Sequence, residues 1–164
     1  MRLSNRTKAP FYNFISTLLS MLLIFGVALF IIERYRIDFL GVESYLLLIV
    51  PIALWIFYYL RGRQIFEYDS DGEALNFKNR NVVTFFGNTA SDEFPKYKLI
   101  SYDVFNAFVL KKLYVKVQSK KSKFIVLKYD ISYLSNGEIR DLKASLNKVV
   151  KANQEKNTKS QEIG

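Results

Sequence analysis

Cysteine and histidine are both absent from this chain of 164 residues. Without thiols there is no disulfide scaffold, thiolate zinc site or cysteine nucleophile, and without imidazole there is no histidine-dependent catalytic triad. The chain also lacks a phosphate-cradling P-loop, a dinucleotide-binding glycine pattern and a carboxylate pair arranged for general acid–base catalysis. The sequence therefore predicts a protein that is not an enzyme and that holds neither a cofactor nor a metal ion.

Two long stretches carry no charge at all. Residues 14–32 would reach roughly 28 Å as a helix, which is close to the hydrocarbon thickness of a bilayer. Residues 44–60 are rich in Leu and Ile, and they include Pro51, which a membrane helix tolerates. We predict two transmembrane helices over 14–32 and 44–60, joined by an external loop over 33–43. The alternatives, a pair of buried core helices or a cleaved signal peptide, fit the length of these runs less well.

Basic residues flank both apolar runs, in the N-terminal segment 1–13 and directly after residue 60. An excess of Lys and Arg marks the cytoplasmic side of a membrane protein, so both termini are predicted to be cytoplasmic. The predicted topology anchors are Arg2, Arg6, Lys8, Arg61 and Arg63. Neither run contains an ionisable residue, and this argues against a transporter, whose ion path needs such groups inside the membrane.

From residue 61 the apolar residues alternate with polar ones, which predicts strands that bury one face. The predicted strands and extended segments are 64–68, 73–78, 82–86, 94–106, 113–118 and 125–131. Turns are predicted at 69–72 and 79–81, and a loop at 87–93. Ser135 and Glu138 have the spacing of a capping box, which predicts the start of an amphipathic helix. Residues 152–164 are polar and are predicted to form a disordered tail.

This order of elements resembles the bacterial pleckstrin-homology-like (PH-like) proteins, in which a transmembrane hairpin precedes such a domain. The resemblance covers about residues 14–151, and its local support is Phe-Glu-Tyr-Asp-Ser-Asp-Gly at 66–72 and the final hairpin with its helix. It implies a membrane α-helical hairpin plus an α+β soluble domain over 61–151. The sheet would be antiparallel and strongly bent, or a partial barrel, and the C-terminal amphipathic helix would close it. The resemblance also implies a bacterial inner (plasma) membrane.

The first hairpin loop departs from one branch of this family. Eukaryotic phosphoinositide-binding members place basic residues in that loop, whereas here residues 69–72 are Asp-Ser-Asp-Gly. A phosphoinositide pocket is therefore not expected at that position.

The formal net charge of +9 favours an anionic partner. The lipid-facing candidates are Lys111, Lys112, Lys120, Lys121 and Lys123. Contact with anionic lipid is worth about 1 kcal/mol per basic residue near the surface. The other interpretation is a solvated hairpin tip whose lysines discourage edge pairing, and the sequence leaves both open.

The sequence thus predicts a non-catalytic integral membrane protein whose cytoplasmic PH-like domain is a membrane-surface binding or scaffolding module. Its partners would be the bilayer and anionic phospholipid head groups. The alternative is an accessory subunit that recruits a protein partner, or a second copy of itself, through a sheet edge or the C-terminal helix. Nucleic acid is not expected as a partner, because membrane anchoring disfavours it although aromatic and basic residues interleave at 96–112.

Overall fold

In the computed structural model of this chain, two long apolar helices join a domain of two sheets and a third helix. The structure describes residues 1–37, 39–83, 89–107, 110–119 and 122–162, without the side chains of 157 and 159–162. The helices are α1 (Ala9–Ile32), α2 (Leu46–Leu60) and α3 (Asn136–Glu162). The strands are β1 (Arg2–Ser4), β2 (Ile65–Asp69), β3 (Ala74–Arg80), β4 (Ala90–Pro95), β5 (Leu99–Ala107), β6 (Leu110–Gln118) and β7 (Phe124–Asp130).

The helices α1 and α2 form an antiparallel pair whose apolar side chains face outward. Arg6–Ile37 and Gly41–Leu60 are both long and apolar enough to cross a membrane. Only 6% and 11% of their most apolar windows are buried. A core helix of a soluble protein would bury most of those residues, so this pair exposes its apolar surface to whatever surrounds it.

Gly26 marks a close approach of the two helices. A Cβ at this position would collide with the Leu47 carbonyl oxygen of α2 and would lie 3.0 Å from Cγ of Pro51. Pro51 has no N–H to donate to the Leu47 carbonyl one turn earlier, so Gly26 packs against an oxygen that cannot receive the regular helical bond from residue 51. A glycine permits this contact because it brings backbone against backbone.

The N-terminal residues belong to the sheet domain. β1 pairs antiparallel with β2, with Leu3 opposite Tyr68. Leu3 is 8% exposed and lies in the hydrophobic core. The buried side chain of Asn5 then donates to the Gln64 carbonyl oxygen and accepts from the Phe66 amide, both at 2.8 Å. The segment predicted as a flank over 1–13 thus contributes a strand, and the domain boundary predicted at residue 61 leaves that strand out.

Two antiparallel sheets, β1-β2-β3-β4 and β5-β6-β7, share one core. At its centre the ring of Phe77 stacks on Tyr129 at 4.8 Å between centroids, and on Phe94 at 5.7 Å. α3 covers this core with Leu142 and Leu146, both fully buried. The predicted antiparallel domain with a closing helix is therefore present. Among the described residues the sheets are separate and do not close into a barrel.

The sequence located most strands but placed one wrongly. β2, β3, β6 and β7 lie within a few residues of the predicted strands. β4 lies at Ala90–Pro95, where a loop over 87–93 was predicted, and most of the strand predicted at 82–86 falls outside the described residues. β4 buries only Phe94, so it lacks the apolar alternation by which strands are recognised.

The capping box of α3 is confirmed. The Ser135 amide donates to Oε2 of Glu138 at 2.6 Å, and the Glu138 amide donates to Oγ of Ser135 at 3.3 Å. The helix then continues to Glu162, where a disordered tail from residue 152 was predicted. No Gly or Pro interrupts residues 152–162, so the chain contains no stop signal there.

Acid sensitivity of the fold is expected at Glu138, which also accepts from Nζ of Lys8 at 3.2 Å. Burial raises the pKa of Glu138, but hydrogen bonds from Ser135 and Lys8 outweigh it and hold the pKa below the ordinary 4.5. A carboxyl group whose pKa is lower in the folded state stabilises the fold at pH values above its unfolded-state pKa. This stabilisation is lost as the pH falls through the folded-state pKa. Gln can keep the capping bond but loses the ion pair with Lys8 and the negative charge at the helix N-terminus, so we expect Glu138→Gln to lower stability at neutral pH by about 0.5–2 kcal/mol. The unfolding temperature of this variant should then fall less steeply than that of the unmodified chain as the pH is lowered.

The matched control for this prediction is Asp141→Asn on the same helix, because Asp141 is exposed and pairs only loosely with its neighbour Arg140. It should leave the acid limb of the stability profile unchanged. Parallel acid limbs for Glu138→Gln and the unmodified chain would show that Glu138 does not carry this dependence.

Candidate functional site

Three tyrosines join the helical pair to the sheet domain. Tyr133, which follows β7, packs edge-on against Tyr12 of α1 at 5.0 Å and Tyr58 of α2 at 6.3 Å between ring centroids. Tyr12 donates its hydroxyl to the Tyr133 carbonyl at 3.4 Å, and Tyr133 donates to the Tyr58 carbonyl at 3.2 Å. Tyr58 completes the set by donating to the Tyr12 carbonyl at 3.0 Å. Both helices and the domain are thus bonded to one another at this junction.

Arg61, at the end of α2, is part of the same junction. Its Cζ lies 4.7 Å from the centroid of the Tyr133 ring, and Nη2 donates to the Ser132 carbonyl at 3.4 Å. Its Nε is buried, and no described residue accepts a hydrogen bond from it. Arg61 therefore links helix and domain through a cation–π contact, in addition to any role in topology.

The chain enters β2 through Gly62, which lies against Asp130 at the end of β7. Gly62 has φ +85°, and a Cβ there would lie 2.6 Å from Cγ of Asp130. Oδ2 of Asp130 accepts from the Arg63 amide at 3.3 Å. The backbone of Asp130 is fixed by Asn79, whose side chain accepts from the Asp130 amide at 2.9 Å and donates to its carbonyl at 3.0 Å. These contacts hold the end of β7 against the end of α2.

A groove of about 410 Å³ opens beside Asp130, between the end of α2 and the outer face of the second sheet. Its lining residues are Tyr59, Gly62, Arg63, Asn81, Lys112, Lys128 and Asp130. Lys112 lies directly opposite Asp130 across the β6–β7 pair, and Lys128 is two residues before Asp130 on the same face of β7. The volume is typical of clefts that take small organic ligands, roughly 300–1,000 Å³.

The charge in this groove is unbalanced. Arg63, Lys112 and Lys128 contribute three cations against the single carboxylate of Asp130. Within the described part of the chain, none of these three side chains forms an ion pair. Lys128 has its ammonium 6.0 Å from the centroid of the Tyr114 ring, a distant cation–π contact. Clustered cations with little counter-charge create a local field that attracts anions.

The structure divides the predicted lipid-facing lysines between the two ends of β6. Lys111 and Lys112 lie at the end near α2, where Nζ of Lys111 donates to Oδ1 of Asn136 at 2.9 Å. Lys123 lies beside the start of β7 at the other end, about 25 Å away along the strand direction. Lys120 and Lys121 lie outside the described residues. Of the three lysines that the structure describes, Lys112 lines the groove.

Lys128 was not singled out from the sequence, although a signal for it was present. The predicted hairpin alternation places Lys112 and Lys128 on the polar face, opposite the buried face of Leu113 and Tyr129. What the alternation does not reveal is that this face meets the end of α2. That proximity depends on contacts between residues far apart in the chain, such as Gly62 with Asp130.

The predicted topology anchors have different surroundings. Nε of Arg2 pairs with Oδ2 of Asp69 at 2.8 Å on the first sheet, and Lys8 pairs with Glu138 of α3. The Asp71 amide and Arg2 together hold the pKa of Asp69 below its ordinary value. The remaining three are Arg6, which is exposed just before α1, and Arg61 and Arg63 after α2. Arg6, Lys8, Arg61 and Arg63 lie within a few residues of the sheet-side ends of the two helices, whereas Arg2 lies opposite Asp69, the last residue of β2. Arg2 and Lys8 hold elements of the domain together.

A second exposed feature is the outer strand of the smaller sheet. Phe124, Ile125 and Val126 of β7 are consecutive and are 45%, 43% and 53% exposed. β7 is the last strand of its sheet, and among the described residues no strand pairs with its free edge. Unpaired edge strands with apolar side chains are surfaces to which extended peptides add.

Comparisons of the chain with protein-family models, with curated proteins and with solved structures give no match. Function is therefore inferred from the geometry of the described residues, in which the basic groove at the junction is the feature with a distinct ligand chemistry.

Proposed function

We propose that this chain is a non-catalytic, two-span membrane protein whose PH-like domain lies in the cytoplasm and contacts anionic lipid head groups at the membrane surface. The observation that carries the proposal is the basic groove at the end of α2, with Arg63, Lys112 and Lys128 against one carboxylate. Juxtamembrane basic groups on the cytoplasmic side are attracted to the anionic lipids of that leaflet.

The exposed apolar surface of α1 and α2 supports the membrane assignment. Water would have to cover the outward side chains of both helices if no bilayer did, at a cost of about 25 cal/mol for every Å² of apolar surface. β1 precedes α1 and pairs with β2, which follows α2, so both ends of the helical pair meet in one sheet. In a membrane this arrangement keeps the N-terminal strand and the domain on one side, and the positive-inside rule makes that side cytoplasmic.

The position of β1 also argues against removal of the first apolar run as a signal peptide. Cleavage after α1 would take away β1, and with it the core side chain Leu3 and the hydrogen bonds of Asn5 to Gln64 and Phe66. The PH-like interpretation of the domain is supported by its antiparallel strands followed by a single closing helix.

The proposal predicts selective retention of anionic lipid. The full chain, expressed in bacteria and extracted in a neutral detergent, should carry phosphatidylglycerol enriched several-fold over the bulk membrane lipid. Mass spectrometry of the co-purified lipids measures this, and raising the salt concentration during washing should reduce the enrichment. Lipids that match the bulk membrane composition would contradict the proposal. They would favour the alternative function, an accessory subunit that binds a partner segment along the free edge of β7.

A further inference from the structure

We propose that the groove lined by Arg63, Lys112 and Lys128 is a phosphate-binding site, filled by the phosphodiester of one anionic lipid. The inference rests on the proposed function, since it requires the end of α2 to lie at head-group depth. It goes further by assigning the contact to one site, where the proposed function needs only a positively charged surface.

The side chains in the groove suit a phosphate. Arg63 supplies a guanidinium, whose planar donors match two phosphate oxygens at once, and Lys112 and Lys128 supply ammonium groups from the second sheet. Lys112 is half-buried and Lys128 is exposed, so a ligand in the groove can reach both.

Asp130 is the one carboxylate in the groove, and the structure accounts for it. Its Oδ2 already accepts from the Arg63 amide at 3.3 Å, and its carboxyl group lies against the backbone of Gly62. Asp130 thus helps to hold the end of α2 against the end of β7. The groove keeps three cations against this one anion. A singly charged phosphodiester would lower that excess from +2 to +1, so its charge is accommodated without a counter-ion.

The position of the groove favours a lipid over a soluble phosphate compound. Tyr59 lines it, and the Tyr59 ring stacks on Trp55 at 5.9 Å between centroids. Tyr and Trp rings concentrate at the level of lipid head groups. Ile56 and Leu60, within one turn of Tyr59, are 49% and 63% exposed and offer apolar surface on which acyl chains can lie.

The test measures lipid affinity of the full chain in neutral detergent by native mass spectrometry. The probes are phosphatidylglycerol, phosphatidylcholine as the zwitterionic lipid, and glycerol 3-phosphate as the soluble phosphate. The variant is Lys112→Gln/Lys128→Gln, which leaves Arg63 and its contribution to topology in place. The matched control is Lys148→Gln/Lys151→Gln, which removes the same charge from exposed positions of α3.

We expect phosphatidylglycerol to bind more tightly than phosphatidylcholine, and glycerol 3-phosphate to bind far more weakly than either. The groove variant should lose roughly 30-fold in affinity for phosphatidylglycerol, from about 1 kcal/mol for each of two cations, and the control should change less than about twofold. Lys112→Arg/Lys128→Arg should keep the affinity, which shows that charge and not folding is what the first variant removes.

Other results overturn the site in distinguishable ways. Equal losses in the groove variant and the α3 control would overturn the groove and leave general contact with anionic lipid intact. Glycerol 3-phosphate bound as tightly as phosphatidylglycerol, through the same lysines, would make the ligand soluble and overturn the lipid assignment. No preference for phosphatidylglycerol over phosphatidylcholine in the unmodified chain would overturn both this site and the proposed function.

Discussion

Asn79→Ala is expected to lower the free energy of unfolding by about 3–5 kcal/mol, because it leaves several backbone groups without their hydrogen bonds. Asn79 is fully buried in β3. Its Nδ2 donates to the carbonyls of Ile65 at 3.1 Å and Asp130 at 3.0 Å, and its Oδ1 accepts from the Asp130 amide at 2.9 Å. These bonds connect the first sheet to β7 of the second sheet. Alanine offers neither a donor nor an acceptor, and water has little access to replace them.

The control for this prediction is Asn76→Ala, on the same strand but on its outward face. It should change stability by less than about 0.5 kcal/mol, as surface substitutions usually do. Denaturant unfolding of the full chain in one detergent, followed by circular dichroism, compares the two variants directly. Similar losses at both positions would contradict the assigned role of Asn79.

Gly62→Ala is expected to destabilise the connection between α2 and the sheet domain by about 2–4 kcal/mol. Two effects add at this position. The backbone has φ +85°, which costs an L-residue about 1–2 kcal/mol, and the new Cβ would lie 2.6 Å from Cγ of Asp130. To relieve that contact, Asp130 would have to shift from the positions that its bonds to Asn79 and Arg63 fix.

Two other glycines separate these effects. Gly72 also has a positive φ, +73°, but nothing lies within 4 Å of its added Cβ, so Gly72→Ala measures the backbone cost alone. Gly137 lies in the first turn of α3 with open space around it, and Gly137→Ala should be neutral or stabilising. The decrease in unfolding temperature should be largest for Gly62→Ala, smaller for Gly72→Ala and smallest for Gly137→Ala. A loss at Gly62 no larger than at Gly72 would show that the Asp130 contact is unimportant.

Local patterns in the sequence sufficed for the elements that have local causes. The apolar runs predict α1 and α2, and the capping box of Ser135 and Glu138 marks the start of α3. Alternation predicts the β6–β7 hairpin. β1 was missed because it has three residues, too few for any alternation, and its pairing with β2 spans more than sixty residues of chain. The turn predicted at 79–81 was partly wrong, because Asn79 is a buried residue of β3 whose side chain bonds to a distant strand.

The candidate site shows the same limit. Composition and charge identified basic residues beside the second apolar run, including Arg63, and Lys112 in the hairpin. Arg63 and Lys112 meet Lys128 in one groove because Gly62 packs closely against Asp130. No local sequence pattern predicts this contact. The tyrosine junction was missed for the same reason, since Tyr12, Tyr58 and Tyr133 are widely separated in the chain.

The central claim, that the helical pair spans a membrane with the N-terminal strand and the domain together on its cytoplasmic side, is tested most directly by cysteine labelling. The chain has no native cysteine, so single cysteines report unambiguously. Suitable exposed positions are Thr7 before α1, Val42 between the helices and Ala144 on α3. In intact cells an impermeant maleimide should label Val42→Cys and should reach Thr7→Cys and Ala144→Cys only after permeabilisation. Labelling of Thr7→Cys and Ala144→Cys from opposite sides, or of both from outside, would contradict the account.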